Sequence, residues 1–270
     1  MNESPDILRR ILARKVEETA ERRSIYTIRD LEAAAKYQEE PRGFCDAIVA
    51  KVNGGSPAVI AELKKASPSK GIICGDFQPD LIAEAYALNG ATCLSVLTDV
   101  DFFQGHNDFL SAARKASGLP TLRKDFLIDL WQVAESRAIG ADCILLIIAA
   151  LEDEQIANLS AAAVGYGMDV LLEIHDRREL ERALTVDVGL IGINNRNLHT
   201  FETRLETTLE LVEHIPNDRL VVTESGIQSA GDVMKMWESG VHIFLIGETL
   251  LRAPNPGAKL ASLLRDPRAD

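Results

Sequence analysis

Residues 121–147 read TLRKDFLIDLWQVAESRAIGADCILLI. A short apolar run, 121–123, gives way to charge at Lys124 and Asp125. A longer amphipathic stretch, 129–139, stops at Gly140, and Gly140-Ala141 feeds a second apolar run, 143–147. Such runs suit parallel strands buried on both faces, and a glycine after a helical stretch suits a helix C-cap. The segment reads as strand, helix, strand.

The same texture extends outward on both sides. Apolar runs lie at 58–62, 93–97, 121–123, 143–147, 170–174, 190–193, 220–223 and 243–246. Residues 79–89, 153–164 and 229–239 read as helices between them, and Gly90-Ala91 and Gly240-Val241 repeat the junction. Strands alternating with helices imply βαβ units and a parallel sheet. Eight units within about 200 residues predict a closed single (β/α)8 TIM barrel. An open doubly wound sheet competes less well, because no G-x-G-x-x-G turn follows the first run. Residues 1–56 come earlier, with helical stretches at 6–22, 28–36 and 44–52. They predict an N-terminal helical extension packed on a barrel of 57–270, in one structural domain.

Composition narrows the function. The chain has 270 residues, 46% of them hydrophobic, and a net charge of −12. An acidic chain lacks the basic face that nucleic acid requires, so no nucleic-acid partner is expected. No apolar run approaches the ~20 residues of a membrane span, and residues 1–14 are too charged for a secretory signal. A cytoplasmic protein without a membrane partner is expected. Cys45, Cys74, Cys93 and Cys143 have no C-x2-C spacing and read as incidental thiols. His106, His199, His214 and His242 lack metal-type spacing, so no metal site is expected; His175 reads as a supporting or surface group.

In a (β/α)8 barrel the active site lies where the strands end. Charge gathers there: Glu62 and Lys64 after the first run, Lys124 after the third, Glu173 in the fifth, Asn194 and Arg196 after the sixth, Glu224 and Ser225 after the seventh, and Gly247-Glu248 after the eighth. Each group alone could be a solvated loop residue or a rim salt bridge. Together they predict an active rim, because strands do not need such charges to pack. Glu62 and Lys64, two apart, face one side of a continuing strand. Ser225-Gly226 and Gly247-Glu248 predict a phosphate cradle, since glycine lets backbone N–H groups approach an anion. Crowded lysines and carboxylates are expected to have pKa values moved toward neutrality.

The stretch 60–71, IAELKKASPSKG, closely resembles the signature of the indole-3-glycerol-phosphate synthases. So do LSVLTD at 94–99, FQG at 103–105, LRKDF at 122–126, LEIHD at 172–176, INNRNL at 193–198, TESGI at 223–227 and IGETL at 246–250. Thr223 and His242 are less usual choices, neither on a matched catalytic position. The length leaves no room for the isomerase barrel fused to some members. The resemblance implies a carboxy-lyase of tryptophan biosynthesis without cofactor or metal. It would convert 1-(2-carboxyphenylamino)-1-deoxyribulose 5-phosphate to indole-3-glycerol phosphate, CO2 and water. By motif match Lys124 is the acid for ring closure and Glu173 its partner carboxylate. Glu62 and Lys64 serve dehydration and positioning, and Asn194 and Glu224 complete the catalytic set. Arg196, Ser225, Phe103 and Phe126 hold substrate, the phenylalanines flanking its ring. Ser67, Gly226, Gly247 and the Glu248 backbone hold phosphate. Other tryptophan-pathway enzymes are the protein partners the resemblance would admit. The alternatives are another phosphosugar barrel enzyme, such as phosphoribosylanthranilate isomerase, or a non-catalytic barrel that binds a phosphorylated metabolite.

Overall fold

The computed structural model describes residues 6–198 and 200–265; His199 lies outside them. Eight strands close a barrel: β1 (Ala58–Leu63), β2 (Cys93–Leu97), β3 (Thr121–Lys124), β4 (Cys143–Ile147), β5 (Asp169–Ile174), β6 (Leu190–Asn194), β7 (Leu220–Glu224) and β8 (Ile243–Ile246). All neighbours are parallel, and β1 pairs with both β2 and β8. The eight expected runs match these strands to within one residue at each end.

Alternation divides the side chains into two cores. Val59, Ala61, Leu63, Leu94, Val96, Ile144 and Leu146 face outward and pack under the helices. Ala58, Ile60, Cys93, Leu122, Cys143, Leu145, Leu171, Leu190, Val222, Ile243 and Leu245 fill the interior. Counting on by two from these interior positions reaches Glu62, Lys124, Glu173, Asn194, Glu224 and Gly247. One parity along each strand therefore supplies apolar filling below and reactive groups above.

Helices α1 (Asp6–Ile25), α2 (Ile28–Ala35) and α3 (Phe44–Asn53) precede β1 and seat at different places. Phe44 and Ile48 of α3, both fully buried, join the interior cluster beneath the strand starts. Asp169 at the start of β5 accepts the Cys45 N–H at 2.9 Å, which anchors α3 at that end. Leu31 of α2 packs on Trp131 and Ala134, while α1 reaches the opposite mouth.

The strand-linking helices are α4 (Pro79–Leu88), α5 (Asn107–Ser117), α6 (Leu130–Ala138), α7 (Asp153–Gly165), α8 (Arg177–Ala183), α9 (Glu206–Val212) and α10 (Ala230–Glu238); α11 (Glu248–Leu251) and α12 (Pro256–Leu263) follow β8. Asp129 and Gln132 form a capping box on α6, and Gly140 takes φ +89° just past its end. The sequence reading did not single out α5, α8, α9, α11, α12 or the antiparallel pair Ala66–Ser67 with Gly71–Ile72. Several of these are short, and α8 (RRELERA) has little apolar periodicity to read. No described helix is long and apolar enough to cross a membrane.

Candidate active site

A cavity of about 880 Å³ opens at the C-terminal ends of the strands. All the site residues expected from the sequence line it: Glu62, Lys64, Ser67, Phe103, Lys124, Phe126, Glu173, Asn194, Arg196, Glu224, Ser225, Gly226, Gly247 and Glu248. Ile7, Leu8 and Ile11 of α1 form a further part of its wall.

Lys124, at the end of β3, is the hub. Its Nζ donates to Glu173 Oε2 at 2.7 Å and lies 3.3 Å from Glu224 Oε2. Burial works to lower the lysine pKa, but Glu173, Glu224 and Glu62 outweigh it and hold the ammonium well above its ordinary value. Burial likewise works to raise the Glu173 pKa, yet Lys124 and His175 hold that carboxyl below the usual range. The expected drift toward neutrality therefore fails at both, because each opposite charge stabilises the other. Glu224 does follow the expectation. Burial, helped by repulsion from Glu173 and Glu62, outweighs Lys124 and raises its pKa to about 7. Its Oε1 is buried without a hydrogen-bond partner among the described residues.

His175 is half-buried, with 12% of its side chain exposed, and faces two carboxylates. Its Nδ1 lies 3.0 Å from Glu179 Oε2 and its Nε2 3.4 Å from Glu173 Oε1. The second contact is an electrostatic one, too long for a good hydrogen bond. Burial works against the imidazolium, but Glu173 and Glu179 raise its pKa to about 10. Lys64 pairs with Glu62, as the same-face spacing implied.

Strands β6 and β7 are stitched together. Asn194 Nδ2 donates to Glu173 Oε1 at 3.2 Å, while its Oδ1 accepts from Ser225 Oγ at 3.0 Å. Buried Asn195 donates to Thr223 Oγ1, Glu224 O and Ser225 O. The hydroxyl of Thr223, an unusual choice in its motif, thus has a structural task. These bonds hold Ser225 at φ +65°, a left-handed conformation uncommon for a residue with a side chain, and Gly226 follows at φ +98°.

Arg196 lies 3.3 Å from Glu248 Oε2, and Arg252 donates to Glu248 Oε1 at 2.9 Å. Burial raises the Glu248 pKa less than Arg252, Arg196 and Lys70 lower it. Arg196, expected to meet substrate, is thus already paired across the cavity. Lys70, Arg252 and Lys259 also line this end. The sequence reading did not select these cations, since α12 went unread and strand-end logic does not reach it.

Two glycines act by what they lack. A Cβ on Gly247 would overlap Glu62 Oε1, and one on Gly192 would overlap Glu224 Oε1. Gly247, read as part of a phosphate cradle, thus also makes room for a carboxylate. Gly192 was missed; its only signal was a glycine inside an apolar strand, at inward parity. Two other histidines have local tasks: His106 caps α5, and His242 packs against Trp237 with the rings tilted by 49°. Among the described residues no group of three His, Cys, Asp or Glu could hold a metal ion.

Residues 8–263 match the family model for indole-3-glycerol phosphate synthase. The chain belongs to the indole-3-glycerol phosphate synthase family. Enzymes of this family are carboxy-lyases of tryptophan biosynthesis acting on a phosphorylated small molecule, and the chain shares that function. Solved structures of the same fold are far more distant. A 3-hexulose-6-phosphate synthase aligns with TM-score 0.61 and 13% identity, over 76% of this chain and 97% of that one. Tryptophan synthase subunit alpha from Legionella pneumophila str. Paris gives 0.60 and 12%, over 82% and 96%. KGPDC from Streptococcus mutans gives 0.58 and 14%, over 77% and 95%. At such identities the likeness concerns the barrel alone.

Proposed function

We propose that this cavity closes the indole ring of 1-(2-carboxyphenylamino)-1-deoxyribulose 5-phosphate, with Lys124 as the general acid. The observation that carries the reading is a part-buried ammonium that lines the cavity and is held by Glu173 and Glu224. The ring carbon bearing the carboxylate attacks the ketone carbon. The ketone oxygen gains negative charge, and Lys124 Nζ supplies its proton. Glu173 keeps Lys124 charged and oriented beforehand, which is electrostatic preorganisation. The carboxylate then departs as CO2, its bonding electrons returning to the ring. The new hydroxyl leaves as water after a second protonation, and a base takes a proton from the neighbouring carbon. The Lys64–Glu62 pair lies in the same cavity to serve this dehydration, and Glu224, with its raised pKa, can hold a proton near neutral pH.

Phe103 and Phe126, with ring centroids 6.0 Å apart, supply an aromatic wall for the substrate ring. Arg196 would exchange Glu248 for the substrate carboxylate, which a guanidinium can grip with two N–H groups. Asn194 and Ser225 complete the polar wall. Ser67, Gly226, Gly247 and the backbone N–H of Glu248 at the start of α11 would hold phosphate. The chemistry assigned here needs no cofactor. Residues 1–56 and the barrel of 57–270 act as one unit. The four free thiols suit a reducing compartment, the cytoplasm. Other tryptophan-pathway enzymes are its natural neighbours.

The test is formation of indole-3-glycerol phosphate, followed by indole absorbance in the presence of chelator. Lys124→Met should lower kcat by about 10²–10⁴-fold, the scale of a lost general acid. Absence of product with the unaltered protein, or full activity in the variant, refutes the assignment.

A further inference from the structure

Lys15 of α1 is only 1% exposed, although it carries a charge on a helix outside the barrel. Its Nζ lies 2.7 Å from Glu18 Oε2, 3.0 Å from Asp99 Oδ2 and 2.9 Å from Asp125 Oδ1. The two aspartates each brace a cavity wall. Asp99, just past β2, accepts the backbone N–H groups of Phe102 and Phe103 at 2.8 and 3.1 Å. Asp125, next to Lys124, accepts the Phe126 N–H at 2.8 Å and the Thr98 hydroxyl at 2.6 Å. One ammonium thus joins α1 to both turns that carry the paired phenylalanines.

The helix presents a single face to this task. Leu8, Ile11, Lys15, Glu18 and Arg22 follow three-and-four spacing. Leu8 and Ile11 line the cavity, whereas Arg22 pairs with Glu135, which also holds the buried Arg123. Packing does not require this arrangement. Buried ion clusters add little stability over apolar side chains of similar size, but they demand one geometry. A methionine would let α1 slide or tilt, whereas an ammonium with three carboxylates cannot shift without losing a partner.

We infer that Lys15 is a positioning residue: it fixes α1 over the cavity and sets the Phe103 and Phe126 walls that bind the aromatic ring of the substrate. This rests on the ring site proposed above. It touches none of the acid–base groups, so its loss weakens ring binding more than it slows chemistry.

The test uses the full chain, with Lys15→Met and, as a milder variant, Asp99→Asn, which keeps an acceptor for Phe102 and Phe103 but loses the charge facing Lys15. Calorimetry measures binding of two probes: the ketone-reduced substrate analogue, which carries ring and phosphate, and inorganic phosphate. The analogue should weaken by about 10–100-fold in Lys15→Met, the scale of an ångström-sized misplacement. It should weaken less in Asp99→Asn. Phosphate affinity should stay within about twofold, and KM should rise more than kcat falls. Equal weakening of both probes, or none, in whichever variants fold overturns the inference. If the unaltered enzyme fails to bind the analogue, the ring site itself is wrong and the inference falls with it.

Discussion

Gly192→Ala isolates one steric requirement of the site. Gly192 lies in β6 opposite Glu173 of β5, and its backbone does not adopt the left-handed conformation. Alanine is therefore compatible with the backbone, and restricting the unfolded chain alone would stabilise the fold by about 0.4–1 kcal/mol. The new methyl, however, would overlap Glu224 Oε1 and approach Leu171 Cδ1 to 3.1 Å. Overpacking of this kind costs about 1–3 kcal/mol. The net loss should be roughly 0–2.6 kcal/mol. Relief requires Glu224 to swing, which breaks its 3.3 Å contact with Lys124. A misplacement near 1 Å lowers turnover by about 10²-fold. Activity should collapse while calorimetry shows only modest destabilisation. Gly189→Ala is the control, since its Cβ would meet nothing within 4 Å. Activity of Gly192→Ala within about threefold of the parent, well short of that 10²-fold loss, would show that Glu224 is not held as described.

Two further perturbations exploit pH. The Glu224 pKa rises from 4.5 to about 7 on folding, so the folded state binds more protons between those values and stability falls as pH rises through that window. Glu224→Gln should remove this slope and be relatively most stable above pH 7, while losing activity; denaturant melts at pH 5 and 8 measure it, and an unchanged slope contradicts the assignment. His175 has the opposite charge type, with its pKa raised from 6.5 to about 10. Its stabilisation is fully present below pH 6.5 and is lost as pH rises through about 10. His175→Gln should therefore lower stability at pH 6 and converge on the parent near pH 10, with activity reduced through Glu173; equal gaps at both pH values argue against this.

Local chemistry explains what was legible in the chain. Apolar runs of three to five residues, several of them preceded by a glycine-capped helix, specify βαβ units because both faces of a strand must be buried. The two-residue period then places Glu62, Lys124, Glu173, Asn194 and Glu224 on the inward side, wherever the barrel closes. Motif resemblance supplied the roles, and the same residues line one cavity. Short polar helices such as α8 were not legible, since their stability comes from contacts along the barrel rather than from their own pattern. Nor could spacing show that Lys124 would meet Glu224, a hundred residues away, or that their neighbours would drive the pKa of Lys124 up and that of Glu173 down. Those outcomes depend on barrel closure and on the low dielectric it creates. The glycines show the boundary most sharply. Gly140 was readable from its place after a helix, whereas Gly192 gains its meaning from a carboxylate on the adjacent strand. Lys15 is the same case: on its helix it is one charge among many, and closure over Asp99 and Asp125 makes it a fixed point of the site.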